Sequence, residues 1–289
     1  MSPMNNRLLV PQKLPLLLDY APGAAAAYSL RSLSNSYVGP VVTVRRSTDS
    51  AEADFTATEV SDGTLAAWCG GGDGFVKQWW DQSGNVRHAS QTDSAKQPKV
   101  CVSGAITQKD GIPAILFQSI NKTGLKGAVA SSSVSVPYAM FCVYQSADSA
   151  AYIAGFNRET GANTVEGIRK SAANTLQAIQ QNGESTAQAI FTADDASWHM
   201  AEMVTQGTAS AMTFYGKADA GPASEYSTPR VRDVSAIDRL LAIGFAYNLP
   251  ETTFAAEFLD GYIAEIVVFE GDLQPSLTSR IQGDLAWYY

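Results

Sequence analysis

From about residue 98 to residue 269 the chain is a succession of short runs rich in β-branched and aromatic residues, divided by turn formers and lacking any helical period. The runs are Ile112–Phe117, Tyr138–Gln145, Ala151–Phe156, Thr164–Lys170, Thr175–Gln181, Trp198–Thr205, Ser210–Lys217, Leu240–Phe245 and Gly261–Phe269. Strands this short and this regularly spaced predict an antiparallel sandwich rather than alternating βαβ units. Thr205-Gln206-Gly207-Thr208 reads as a hairpin turn, with Gly207 able to take positive φ. The pattern changes only after Pro275, a residue suited to the first position of a helix, beyond which Leu277, Ile281 and Leu285 recur every four residues. A closing helix of about two and a half turns would lay that stripe on the sandwich. Phe117, Phe141, Trp198, Phe214, Ile243, Ile266, Val268 and Leu285 are then expected to be buried.

The N-terminal part is organised differently. Pro3, Pro11, Pro15 and Pro22 recur too often for a helix, so residues 1–23 read as an extended arm. Ala24 to Leu33 holds strong helix formers and predicts a short helix, and Val41 to Arg45 predicts a strand. Residues 24–289 are expected to form one sandwich domain, for which 45% hydrophobic residues supply ample core. The apolar run Leu14–Leu18 is short for a secretory signal, and no run reaches the roughly 18 apolar residues of a membrane span, so neither a signal peptide nor membrane insertion is expected.

Charge and rare residues exclude several chemistries. A net charge of −8 leaves no basic excess for nucleic acid or anionic lipid. Cys69, Cys101 and Cys142 are odd in number and far apart, which predicts reduced thiols. With two histidines, His88 and His199, and no C-x-x-C pair, no transition metal or other cofactor is expected, while loop carboxylates and carbonyls leave calcium open. Gly70 to Gly74 lacks the Lys-Ser/Thr ending of a phosphate loop and reads as a turn, and no G-x-S-x-G elbow accompanies the histidines.

Two features could touch a ligand. Trp79 and Trp80 point to opposite faces if they lie on a strand, so one can enter the core while the other packs under a loop or stacks on a sugar. Arg45 and Arg46 could grip a carboxylate, or pair locally with Glu52 or Asp54. Catalysis by two carboxylates also stays open, because 28 acidic residues offer many pairs whose separation no sequence spacing reveals.

The ordered set Ala26-Ala27-Tyr28-Ser29-Leu30-Arg31, Gly39-Pro40, Val44-Arg45-Arg46-Ser47 and Trp79-Trp80-Asp81-Gln82-Ser83-Gly84-Asn85 resembles the N-terminal part of the arabinofuranosidase B catalytic-domain family over about residues 24–100. The last motif reads equally well as a fixed turn, with Asp81, Ser83 and Asn85 bonding backbone groups and Gly84 in the left-handed region. The remainder, above all Phe258 to Phe269 and Leu273 to Tyr288, is similar to laminin-G-like, concanavalin A-like jelly rolls. Together the resemblances imply an all-β, jelly-roll β-sandwich with an extended N-terminal arm and a short C-terminal helix.

They also imply a role. Such segments without a signal peptide are frequent in bacteriophage particles, which implies a non-enzymatic virion protein at the tail or particle surface. It would attach to other virion proteins through the arm, could form a homo-oligomer, and could bind host-surface glycan. The alternative is a glycoside hydrolase of arabinofuranosidase type. For that reading, Thr164-Val165-Glu166-Gly167-Ile168 is similar to the family's nucleophile strand and makes Glu166 the nucleophile. Ala242 to Asn248 is similar to the segment carrying the family's acid, and it places Tyr247, a poor acid near neutral pH, at the acid position. Glu251 and Glu257 are the nearby substitutes. The candidate ligand residues are therefore Trp80, Glu166, Tyr247 and Asn248.

Overall fold

The computed structural model describes residues 13–130, 135–148, 150–157, 164–172, 175–182, 185–192, 197–208, 210–219, 221–230, 240–246 and 257–289. The N-terminal strands are β1 (Ala24–Ser29), β2 (Val42–Arg46), β3 (Glu52–Phe55), β4 (Gly74–Trp79), β5 (Ala89–Ser90) and β6 (Lys99–Val102). Short strands β7 (Ala105–Ile106), β8 (Gln108–Lys109), β9 (Ile112–Pro113) and β10 (Ile115–Phe117) lead to β11 (Leu125–Ala130), β12 (Tyr138–Ser146) and β13 (Ala151–Asn157). The meander continues through β14 (Thr164–Ala172), β15 (Thr175–Asn182), β16 (Ser185–Thr192), β17 (His199–Thr208), β18 (Ala211–Ala218) and β19 (Ser224–Arg230), and closes with β20 (Leu240–Ile243) and β21 (Gly261–Glu270). Helix α1 is one turn at Leu17–Tyr20, α2 (Ala57–Ser61) and α3 (Thr64–Cys69) lie between β3 and β4, and α4 spans Pro275–Tyr288.

Among the described residues every ladder is antiparallel. One layer runs β16–β15–β14–β13–β20–β11–β5–β4–β2–β3. The other runs β19–β18–β17–β12–β21, with β1 and β10 sharing the far edge of β21. β6 bridges β10 to β4 and joins the layers into one continuous sheet. The expected all-β sandwich is the fold observed. All nine anticipated runs contain strand, although Gly207, at φ 90°, lies inside β17, and the ladder continues to the Thr208–Ala211 pair instead of turning at 205–208.

Alternation along β12 divides the interior in two. Tyr138, Met140, Cys142 and Tyr144 enter the core between the layers, while Ala139, Phe141 and Val143 enter a second core beneath α4. Phe117, Phe141, Phe214, Ile243, Ile266, Val268 and Leu285 are buried as expected. Trp198 is only half-buried, its indole N–H donating to the Lys109 carbonyl at 3.0 Å. Pro275 opens α4, and Ile281 and Leu285 are the residues the helix buries; its 14 residues make it longer than the spacing suggested.

Two expectations fail here. Ala24–Ser29 is a strand, not a helix, and all six of its residues are buried. Ala25, Ala26 and Tyr28 face the inter-layer core, whereas Ala24 and Ala27 face the second core. Pairing with β21 and burial on both faces outweigh the few tenths of a kcal/mol per residue by which alanine favours helix. The arm is also shorter than residues 1–23: Leu17, Leu18 and Ala21 are buried in the second core, and the Leu18 N–H donates to the Leu33 carbonyl at 2.8 Å. Residues 1–12 of the expected arm lie outside the described residues.

The three cysteines are free and buried, but two are not isolated. Gly74 packs against both Cys69 and Cys101, and a Cβ on it would lie 2.8 Å from the Cys69 Sγ and 3.0 Å from the Cys101 Cβ. Burial, followed by the neighbouring Cys101 thiol, pushes the Cys69 thiol up to about 12, which keeps it unreactive at neutral pH.

Candidate functional site

The tryptophan pair splits as strand geometry requires. Trp79 is fully buried against Tyr28, with ring centroids 5.8 Å apart. Trp80 is half-buried; its Nε1–H donates to Thr43 Oγ1 at 2.8 Å and its ring lies 4.3 Å from that of His88. Its neighbours thus occupy much of what a sugar would use. The following motif is a structural stitch. Asp81 accepts from the backbone N–H of Ala27 and Ser83, each at 2.9 Å, from the Ser83 hydroxyl at 2.8 Å and from the Arg87 N–H at 3.0 Å. Gln82 accepts from the Leu33 N–H and donates to the carbonyls of Ser29 and Arg31, so the turn pins β1 to the sheet. Asp81→Ala leaves the buried Ala27 N–H without an acceptor and is expected to cost at least about 2 kcal/mol in urea unfolding. A change below about 0.5 kcal/mol would show that the stitch carries no stability.

Arg45 and Arg46 are also occupied, but not by Glu52 or Asp54. Arg45 donates to Gln97 Oε1 at 2.8 Å and to the Ser94 carbonyl at 3.1 Å, and its guanidinium lies over the Phe75 ring. Arg46 holds Asp49 through two bonds of 2.7 Å. Glu52 pairs instead with Lys77, and Asp54 accepts from Thr43.

Glu166 is a buried residue of β14. It stands opposite Phe156 on one side and Gln180 on the other, and β14 alternation sends it with Ile168 into the core between the layers. It has no solvent exposure and accepts a hydrogen bond from the Tyr138 hydroxyl, which comes from the opposite layer. Tyr247 and Asn248, with Glu251, lie outside the described residues.

The reverse face of the same strands offers different chemistry. Gly155 and Gly167 face each other across β13 and β14, and a Cβ on Gly167 would lie 2.6 Å from the Gly155 Cα and collide with the Tyr152 hydroxyl. Both glycines let the Tyr152 ring lie flat on the sheet, where it packs with Ile179 and Ala246. Beside them Arg169 donates to Gln177 Oε1 at 3.0 Å and pairs with Glu257 Oε1 at 3.0 Å, and the Tyr152 N–H donates to the Glu257 carbonyl.

The chain from Glu257 runs directly to Asp260, which lies beside Asp148. The Asp260 N–H donates to Asp148 Oδ2 at 2.5 Å, and Asp260 itself accepts from the N–H and the hydroxyl of Ser119. Ser146, at the end of β12, donates to the Asp260 carbonyl at 2.8 Å, while the buried Lys170 ammonium donates to the Ser146 carbonyl at 2.8 Å. Burial first, and then the charge of Asp260, raise the Asp148 carboxyl above its ordinary range. This end of the sandwich therefore carries a carboxyl raised above its ordinary range, Asp148, bonded to Asp260, which follows the ion-paired Glu257 by three residues. Sequence reasoning named Glu257 only as a substitute and missed Asp148 and Asp260, which lie 112 residues apart and carry no local signal beyond their loop positions. Among the described residues, no three His, Cys, Asp or Glu side chains gather in a way that could hold a metal ion.

No protein-family model matches the chain, and no curated protein matches it. Solved structures do. The fold is similar to that of a glutamate-to-glutamine variant of a GH54 α-L-arabinofuranosidase soaked with 4-nitrophenyl α-L-arabinofuranoside, at a TM-score of 0.61 and 15% identity over 94% of this chain. It is equally similar to a GH54 α-L-arabinofuranosidase soaked with a cyclic sulfate inhibitor, at a TM-score of 0.61, 15% identity and the same 94% coverage. An arabinofuranosidase complexed with arabinofuranosyl-α-1,2-xylobiose matches over 92% of the chain, with a TM-score of 0.56 and 16% identity. The chain spans 64% of the length of the first two and 62% of the third. The sandwich is therefore of the kind that glycoside hydrolases of arabinofuranosides use, and the likeness extends well past the 24–100 segment that first suggested it. This finding overturns the reading as a non-enzymatic virion protein: what the fold matches over nearly its whole length are glycoside hydrolases holding substrate or inhibitor, and the hydrolase alternative is the better supported.

Proposed function

We propose that the chain is a glycoside hydrolase acting on α-L-arabinofuranosides. Its reaction centre would lie at the end of the sandwich that carries Asp148, Glu257 and Asp260, not at Glu166. The observation that carries this reading is the fold match to arabinofuranosidases over 92–94% of the chain. The placement of the centre rests on the carboxyl groups. Hydrolysis of a glycoside needs one carboxyl as proton donor and one as carboxylate. Asp148, raised by burial and by Asp260, suits the donor; Glu257, paired with Arg169, suits the carboxylate. The Gly155–Gly167 pair and the Tyr152 ring provide a close-packed floor beside it.

Turnover of 4-nitrophenyl α-L-arabinofuranoside by the full chain, followed at 400 nm or so, is the direct test. Saturable release of nitrophenol well above the spontaneous rate is expected. A rate indistinguishable from buffer, with the xylobiose-linked arabinofuranoside equally inert, would remove the hydrolase reading.

A further inference from the structure

Ser119, whose N–H and hydroxyl both donate to Asp260, opens a 3-10 turn that also borders a concavity on the outward face of its layer. Val76 enters the core, so its neighbour Phe75 on β4 points outward. Pairing sets Arg45 of β2 on one side of Phe75 and Lys99 of β6 on the other. The 3-10 turns Ser94–Lys96 and Ser119–Asn121 rise beside these strands. Together they form a cavity of about 300 Å³ whose lining includes Phe75, Ser94, Gln97, Lys99, Gln118 and Asn121. All of its lining residues belong to the continuously described stretch 13–130.

The cations here are already engaged. Arg45 donates to Gln97 Oε1 and to the Ser94 carbonyl, and Lys99 pairs with Asp73 at 2.8 Å. Both also lie over the Phe75 ring, 4.6 Å and 5.6 Å from its centroid, so recognition at this site depends on neither a free charge nor an open ring face. What it offers is amide chemistry. Asn121 Nδ2 donates to Gln118 Oε1 at 3.3 Å, which leaves Gln118 Nε2 and Asn121 Oδ1 without a bond among the described residues. The backbone that carries them is fixed: Thr123 Oγ1, almost wholly buried, accepts from the Gln118 N–H at 2.6 Å, and the Lys122 N–H donates to the Ser119 carbonyl at 2.9 Å. The opposite wall is held by the buried Gln97, whose Nε2 donates to the Gln91 carbonyl at 2.9 Å.

We propose that this cavity binds a neutral sugar unit of a glycan main chain through two adjacent hydroxyls. A vicinal diol presents one oxygen that accepts from Gln118 Nε2 and one hydroxyl that donates to Asn121 Oδ1, and the bond between the two amides holds that donor and acceptor side by side. Among the described residues no carboxylate lines the cavity, and its cations are occupied, which favours an uncharged ligand. The volume lies at the lower end of the roughly 300–1,000 Å³ of small-molecule pockets, so it takes one sugar unit and not a chain segment. Position supplies the role. Ser119 stands between Gln118 and Asn121 in the chain and donates its N–H to Asp260 at 2.6 Å, so the cavity adjoins the carboxyl groups at this end of the sandwich. That the sugar belongs to the main chain of an arabinofuranosyl-bearing glycan rests on the hydrolase reading; the preference for a neutral diol does not.

Calorimetric titration of the full chain tests this with xylotetraose, α-1,5-arabinotetraose and the fully O-methylated form of each. Saturable binding of at least one tetrasaccharide is expected, at least tenfold tighter than its methylated form and weakened at least tenfold by the double variant Gln118→Ala, Asn121→Ala. The tighter of the two identifies the main-chain sugar. Among the described residues these two side chains bond only each other, so the double variant should melt with the parent, which separates lost binding from lost fold. Gln118→Glu keeps the acceptor for Asn121 and removes the donor, and it should weaken binding at least fivefold on its own. No binding of either tetrasaccharide, equal binding of the methylated forms, or unchanged affinity in both variants would each overturn the proposal. Arabinofuranoside turnover is scored separately: binding of a neutral tetrasaccharide without turnover would sink only the hydrolase reading, and turnover without binding only this one.

Discussion

Glu257→Gln and Asp148→Asn should each lower kcat/KM on arabinofuranosides by about 10² to 10⁴, whereas Glu166→Gln should leave it within about threefold. The first two variants remove the charge or the proton that the reaction needs while keeping side-chain shape. Their losses should differ with the leaving group. Nitrophenolate departs with little protonation, so Asp148→Asn should impair an alkyl or xylosyl arabinofuranoside more than the nitrophenyl substrate, and Glu257→Gln should impair both alike. The pH profile adds an independent readout. A donor must be protonated, and the Asp148 carboxyl is raised, so activity falls as pH climbs through its pKa, and that alkaline limb should vanish in Asp148→Asn. Glu166→Gln keeps an oxygen to accept from the Tyr138 hydroxyl and nearly the same volume. If turnover instead collapses in Glu166→Gln and persists in Glu257→Gln, the sandwich opens in solution to expose Glu166, and the nucleophile belongs there.

The second large effect is on stability. Glu265→Ala is expected to cost about 3–5 kcal/mol, the range for breaking a buried ion pair by removing one partner. Glu265 is 1% exposed on β21 and holds Arg31 through two bonds, Nε at 2.8 Å and Nη2 at 3.1 Å. Arg31 also reaches Asp284 on α4 at 2.6 Å, and the Tyr289 hydroxyl donates to Glu265 at 2.9 Å. The Tyr288 ring lies 4.3 Å beneath the guanidinium. Burial opposes the charge on Arg31, yet Glu265, Tyr289 and Asp284 together raise its pKa above the ordinary value. Removing Glu265 would leave that cation half-compensated at the junction of β1, β21 and the closing helix. Urea unfolding of Glu265→Ala beside Asp284→Ala provides the comparison: the more exposed Asp284 should cost only about 1 kcal/mol or less. Similar losses for the two, both small, would mean that the helix is held by its apolar stripe alone.

The elements of this protein were legible in its sequence because their causes are local. Alternation of β-branched and aromatic residues marked nine strand regions, and Pro275 with the four-residue stripe marked the closing helix, since each depends on side chains within a few positions. The turn chemistry of Asp81 to Asn85 was likewise readable as backbone bonding, and the structure shows the bonds. Ala24–Ser29 was misread for the converse reason: alanine's local preference is weak, and the partner that decides, β21, lies some 240 residues away. Glu166 shows the same limit at the site. Its strand could be located, but which face it occupies follows from the pairing register with β13 and β15, and a shift of one residue would have turned it outward. Asp148, Glu257 and Asp260 have no mutual spacing to read. The pairing of β12 with β21 within one layer brings Asp148 to Asp260, because contacts between distant segments are set by strand register, not by the period along any strand.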